Sequence, residues 1–123
     1  MEAYKIRNTL RQFTGTDQYY KHLFPGKSPI LLTEGCKFVK DKCEANWLFD
    51  QILLAQAIPR VKRISFQKWV FEQLRADLSW KLTCYNTDDN KSVWSRRLEF
   101  SDFPLQKIEI WLIDKVALLP NEY

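Results

Sequence analysis

The stretch ANWLFDQILLAQA, residues 45–57, is the longest apolar-rich run in the chain, and its reading decides the fold. Wound as a helix, it places Leu48, Phe49, Ile52, Leu53 and Ala55 on one broad face, with Trp47 and Leu54 as a second ridge. Only Asn46 and Asp50 form a narrow polar strip. A helix this apolar is buried on most sides, which requires a sheet to receive it. Pro59 ends it. At about 13 residues, interrupted by Asp50, the run is too short and too polar to span a bilayer, which takes roughly 20 apolar residues.

Downstream, the sheet is legible. RISFQKWVFEQ (63–73), DLSWKLTCYN (77–86), SVWSRRLEF (92–100) and KIEIWLIDKVALL (107–119) are rich in β-branched and aromatic residues. Polar or proline-bearing turns, TDDNK (87–91) and SDFPLQ (101–106), separate the last three. Leu78, Trp80, Leu82 and Cys84 alternate against Ser79, Lys81 and Thr83. Ile108, Ile110 and Leu112 alternate against Glu109, Trp111 and Ile113. Short connections between successive strands predict an antiparallel meander.

Upstream, Tyr4, Ile6, Leu10 and Phe13 share a helical stripe, predicting a helix over residues 2–12 that Gly15 breaks. Thr16 and Asp17 suit the start of a second helix over residues 18–23, which Pro25, Gly26 and Pro29 end. ILLTEGCKFVKD (30–41) reads as a hairpin, with arms at 30–33 and 37–40 and the turn at Glu34-Gly35.

The expected architecture is therefore α+β, a single domain over residues 1–123. An antiparallel sheet of five or six strands packs on one central helix, with short N-terminal helices. The expected core comprises Phe13, Tyr20, Leu32, Phe38, Trp47, Leu48, Ile52, Leu82, Ile110 and Leu118. A hydrophobic fraction of 46% excludes a disordered chain. Three glycines are too few for a glycine-rich phosphate loop. The net charge of +4, with both signs interspersed, permits an acidic partner without requiring one. Cys36, Cys43 and Cys84 are odd in number and contain no CxxC pair. That suits reduced thiols in a cytoplasm better than a disulfide framework. The N-terminus lacks the apolar segment of a secretory signal.

Few residues carry candidate chemistry. His22 is the only histidine and the natural general base near neutral pH. Tyr19, three residues before it, would share its helical face. Asp50 lies in an otherwise apolar run, where a carboxylate needs a partner such as Lys21, His22 or Arg60. A catalytic centre on Tyr19, His22 and Asp50 stands against a purely structural role for them, and no nucleophile motif accompanies the set. His22 and the three cysteines match no metal-ligand spacing, so neither metal nor cofactor is expected. The densest basic stretch, PRVKRISFQKW (59–69), contributes Arg60, Lys62, Arg63, Phe66, Lys68 and Trp69, to which Arg96 and Arg97 add. Such a set can contact a partner or a single-stranded nucleic acid. It can equally guard a sheet edge with charge. Asp88-Asp89 reads as a turn.

FTGTDQYYKH (13–22), TEGCK (33–37), WLFD (47–50), DFPL (102–105) and LLPNEY (118–123) occur here in that order. Through them the chain, from Leu10 to Tyr123, resembles a family of small bacterial proteins of unknown function. The resemblance implies an intracellular bacterial protein encoded on a phage, plasmid or other mobile element, and brings no catalytic assignment. The chain departs from the pattern in LFPGKSP (23–29) and in residues 60–68. The expected function is a non-enzymatic binding or adaptor protein acting on a protein partner through an aromatic and basic surface. The alternatives are a nucleic-acid binder and a hydrolase or transferase centred on His22. No membrane association is expected, and self-association is left open.

Overall fold

The computed structural model describes residues 2–123. It is a mixed α+β fold with seven strands and four α-helices. In chain order these are α1 (Ala3–Leu10), β1 (Tyr20–His22), β2 (Ile30–Leu32), α2 (Glu34–Lys42), α3 (Asn46–Ala55) and α4 (Pro59–Lys62). Then come β3 (Phe66–Gln73), β4 (Trp80–Asn86), β5 (Lys91–Leu98), β6 (Lys107–Ile113) and β7 (Val116–Leu118), and a final 3₁₀ turn over Pro120–Glu122. The strands form one sheet in the order β1-β2-β7-β6-β3-β4-β5.

The apolar helix stands as expected, and β3-β4-β5 form an antiparallel meander, but β6 does not follow on beside β5: it crosses over to pair antiparallel with β3, on the side away from β4. α3 buries Leu48, Phe49, Ile52, Leu53 and Ala55. Alternation then sorts the sheet into two faces. Trp69, Phe71, Leu82, Cys84, Ile108, Ile110 and Leu112 face the helices and are buried. Of the expected core, Leu32, Leu48, Ile52, Leu82, Ile110 and Leu118 are buried. Phe13, Tyr20, Phe38 and Trp47 pack against that core only partly covered.

The first half differs in two ways. Residues 18–23 are not a helix: Tyr20–His22 is a strand paired antiparallel with β2. Thr16 caps nothing there; its hydroxyl donates to the Gln18 carbonyl and accepts from the Glu34 amide at 3.0 Å. The Asp17 amide in turn donates to the Glu34 carboxylate at 2.7 Å. The Thr16 hydroxyl and the Asp17 amide, which a helix start would use, are thus tied to another segment.

Nor do residues 30–41 form a hairpin. Thr33 is the N-cap of α2, its hydroxyl accepting from the Cys36 amide at 3.3 Å. Cys36, Val39 and Cys43 recur at helical spacing and are buried. Glu34 in the first turn, with Lys40 and Lys42 in the last, complements the helix dipole.

The strand count is seven rather than five or six, because β1, β2 and β7 are each only three residues long. β6 turns into β7 through Asp114 and Lys115, both at positive φ, as a two-residue hairpin turn of the I′ type requires. The sheet is not purely antiparallel either, since β2 pairs with β7 in parallel. One central helix is replaced by a helical layer.

The last residues bolt this arrangement together. The Glu122 carboxylate accepts from the Thr33 hydroxyl at 2.6 Å, the Gly35 amide at 3.0 Å and the Leu119 amide at 2.9 Å. It therefore places a negative charge at the N-terminus of α2, where free amides and the helix dipole favour one. Gly35 is required by that approach, since a Cβ there would lie 2.6 Å from both Glu122 Oε1 and Leu119 Cδ1.

Candidate functional site

β1 and α3 bring two of the three catalytic candidates together. His22 lies on the helix-facing side of β1, 1% exposed, and its Nε2 is 2.8 Å from Asp50 Oδ1. Asn46, one helical turn before Asp50, donates to the other carboxylate oxygen at 3.3 Å. The His22 ring also packs on Phe49, with centroids 6.0 Å apart. With Nε2–H donating to Asp50, Nδ1 is left as the bare acceptor, buried and with no hydrogen-bond partner among the described residues. Protonation would bury an N–H without an acceptor. Burial accordingly pushes the His22 pKa below its ordinary value, against the upward pull of the Asp50 carboxylate and with a smaller downward contribution from Lys40.

Tyr19 does not join the pair. Tyr19 lies just before β1 and points outward, 56% exposed, since residues three apart in an extended chain face opposite ways, whereas a helix would have aligned Tyr19 with His22. His22 and Asp50 line neither the cleft between β2, α3 and β6 nor the smaller one beside Trp47 and Arg96. Chemically the pair is a neutral imidazole anchored by a carboxylate inside the packing of β1 on α3.

The thiols are equally enclosed. Cys36, Cys43 and Cys84 are all buried. Burial raises the Cys43 thiol to about 11, Cys84 to about 12 and Cys36 further still. In the native protein at pH 8, all three should therefore resist a thiol reagent such as DTNB, then react together once denaturant unfolds the chain. Rapid labelling of one cysteine without denaturant would contradict this burial. Among the described residues no three His, Cys, Asp or Glu side chains converge as a metal-binding group.

The basic residues do not assemble into one groove. Residues 59–62 are the short helix α4, so Arg60, Lys62 and Arg63 do not belong to an extended strand. Arg60 donates to the Val93 carbonyl at 2.9 Å, beside β5. Arg96 reaches Gln51 on α3 at 2.8 Å, on the helix side of the sheet. Arg97, on the other side, is engaged by Asp77 and by the Ser79 hydroxyl. The Asp77 carboxyl is held below its usual range, first by the Ser79 hydroxyl and amide, then by Arg97. Trp69 is 1% exposed against the helix layer and offers nothing to a partner.

Phe66 and Lys68 belong to a different surface, the sheet face that the helices leave open. Cross-strand register lines up Leu31, Val116, Ile113 and Phe66 as one row across four strands. All four are partly exposed. The next row holds Lys68, Trp111 and Leu118. Phe66, Trp111 and Tyr123 form a mutual cluster, with centroids 5.1, 5.7 and 5.4 Å apart. Lys68 sits 5.1 Å over the Tyr85 ring, and Tyr123 is 77% exposed. Tyr85, Trp111 and Tyr123 were not among the residues picked out from sequence. The alternation of Trp111 and Ile113 against Ile108, Ile110 and Leu112 is the sequence signal for Trp111; Tyr85 and Tyr123 carry no such signal in that strand.

No helix among the described residues is long and apolar enough to cross a membrane. Comparison with known proteins finds no curated protein and no solved structure that matches the chain. Residues 4–123 match the model of a family of unknown function, DUF6876, and the chain belongs to that family.

Proposed function

We propose that this chain is a small intracellular, non-enzymatic binding protein that docks a protein partner on the open face of its sheet. The observation that carries the reading is the cluster of Phe66, Trp111 and Tyr123 beside the apolar row Leu31–Val116–Ile113–Phe66. Tryptophan and tyrosine supply large contact area at low entropic cost and dominate interface energetics. This face carries charges of both signs, with Lys68, Lys81, Lys107 and Arg97 set among Glu72 and Glu109. Lys81 and Lys107 both stand opposite Glu72, and Glu109 accepts from the Trp111 indole at 2.6 Å. The cations of this face keep a nucleic-acid partner as the alternative reading, which the nuclease arm of the test separates from a protein. The bacterial, mobile-element setting implied by the sequence resemblance belongs to the same proposal.

The test is affinity capture from the native cell with the wild-type chain and with a Phe66→Ala/Trp111→Ala variant, each with and without nuclease. Both substitutions are on a partly exposed face, and a thermal melt verifies that the variant folds. A protein partner retained through nuclease and reduced at least tenfold by the variant is the expected result, in line with truncation of interface anchors. Equal recovery on both chains, or recovery abolished by nuclease, would overturn it.

A further inference from the structure

At the end of the sheet away from the Glu122 contact, four separate segments enclose a cleft of about 660 Å³. That lies within the range of roughly 300–1,000 Å³ typical of small-molecule sites. Its apolar lining includes Ile30, Leu53, Ile64 and Leu112, from β2, α3, the loop before β3, and β6. Its cationic lining is Lys27, Lys62 and Lys115, against the single carboxylate of Asp114. Among the described residues none of the three lysines forms an ion pair.

Two tight turns hold the rim. Pro25-Gly26, with Gly26 at φ 74° and the Lys27 amide bonded to the Phe24 carbonyl at 3.1 Å, has the pattern of a type II turn and presents Lys27. The Asp114-Lys115 turn presents Lys115. The polar wall is also fixed. Gln56 and Gln67 exchange amide hydrogen bonds at 2.9 Å in both directions. Gln67 further donates to the Val61 carbonyl at 3.0 Å and accepts from the Trp69 indole at 3.0 Å. These amides are satisfied within the protein, so they make little demand on an occupant. What the cleft offers an occupant is an apolar lining together with unpaired positive charge.

We infer that this cleft binds a small organic anion with an apolar body, the anionic group held by Lys27, Lys62 and Lys115. The site adjoins the open sheet face at Ile113 but its lysines and most of its apolar lining lie outside the aromatic cluster, and it goes beyond the docking reading. Its test uses two fluorescent probes of similar shape, the anion 8-anilinonaphthalene-1-sulfonate and its uncharged counterpart N-phenyl-1-naphthylamine. Both are titrated into the wild-type chain, a Lys27→Gln/Lys62→Gln/Lys115→Gln variant, a Ser65→Trp variant that narrows the cleft from an exposed position, and the Phe66→Ala/Trp111→Ala variant. The expected result is saturable binding of one sulfonate probe per chain, weakened roughly tenfold by loss of the three lysines. Binding of the uncharged probe should be unaffected by that loss. Ser65→Trp should weaken both probes, and the open-face variant neither. Sulfonate binding that is insensitive to the lysine and Ser65 variants, that does not saturate, or that is lost in the open-face variant would overturn the assignment.

Discussion

Glu122→Ala should lower the stability of the fold by about 3 kcal/mol, since three donors lose a charged acceptor at once. For a domain of this size that is a fall in Tm of roughly 10 °C. The donors are the Thr33 hydroxyl and the amides of Gly35 and Leu119. Glu122→Gln keeps an acceptor oxygen but loses the charge at the N-terminus of α2, so an intermediate loss is expected. Gly35→Ala provides a sharper test of the same contact. Helix propensity alone favours alanine by up to about 1 kcal/mol. The new Cβ, however, meets a carboxylate and a leucine methyl at 2.6 Å, and the carboxylate cannot retreat without releasing its donors. The account predicts net destabilisation by about 1–3 kcal/mol. Denaturant melts of the three variants measure this, and an alanine at position 35 that stabilises the protein would remove the contact from the account.

Asp50→Ala should destabilise by about 2 kcal/mol, because it leaves the buried His22 Nε2–H without an acceptor. The pair also sets a pH dependence with a definite sign. Burial lowers the folded-state pKa of His22 below the ordinary 6.5, so the unfolded chain binds the proton more readily. The stabilising contribution is complete above about pH 6.5. It is lost progressively as pH falls through the unfolded value toward the lowered folded value. Asp50→Asn removes the groups that pull the His22 pKa upward, so the decline should extend to lower pH than in the wild type. His22→Gln should flatten the profile between pH 7 and 5. Chemical melts across that range measure all three, and a wild-type stability that rises as pH falls from 7 to 5 would contradict the sign.

The parts of the fold legible in the sequence are those set by local pattern. Period-2 alternation in residues 80–84 and 108–113 and the apolar faces of residues 45–57 each describe one element and its buried side. What escaped was set by partners distant in the chain. Thr33 carries a helix-cap signal, but the following Glu34-Gly35 reads equally as a turn until Glu122, 87 residues beyond Gly35, is seen to bind the Gly35 amide. Thr16 reads as a cap until the Glu34 amide is seen to occupy its hydroxyl. The parallel pairing of β2 with β7 has no local signature at all.

The candidate site was legible to a similar degree. Asp50 needed a partner, and of the three considered the structure pairs it with His22. The Tyr19 alignment depended on a helix that is a strand. The basic stretch looked continuous in sequence, yet α4 and the start of β3 send Arg60, Lys62 and Lys68 to different surfaces. FTGTDQYYKH, TEGCK, WLFD and LLPNEY meet in pairs, through Thr16–Glu34, Gly35–Glu122 and His22–Asp50. The polar residues of these contacts are occupied with one another, which is why the docking proposal rests on the open face instead.

Hydroxyl-radical footprinting of the chain alone and in its native complex tests that division of labour most directly. The account predicts protection of Phe66, Tyr85, Trp111 and Tyr123 in the complex, with Tyr4, Tyr19 and Phe100 still labelled. Protection confined to Tyr4 or Tyr19, with the open-face aromatics labelled as in the free chain, would contradict it.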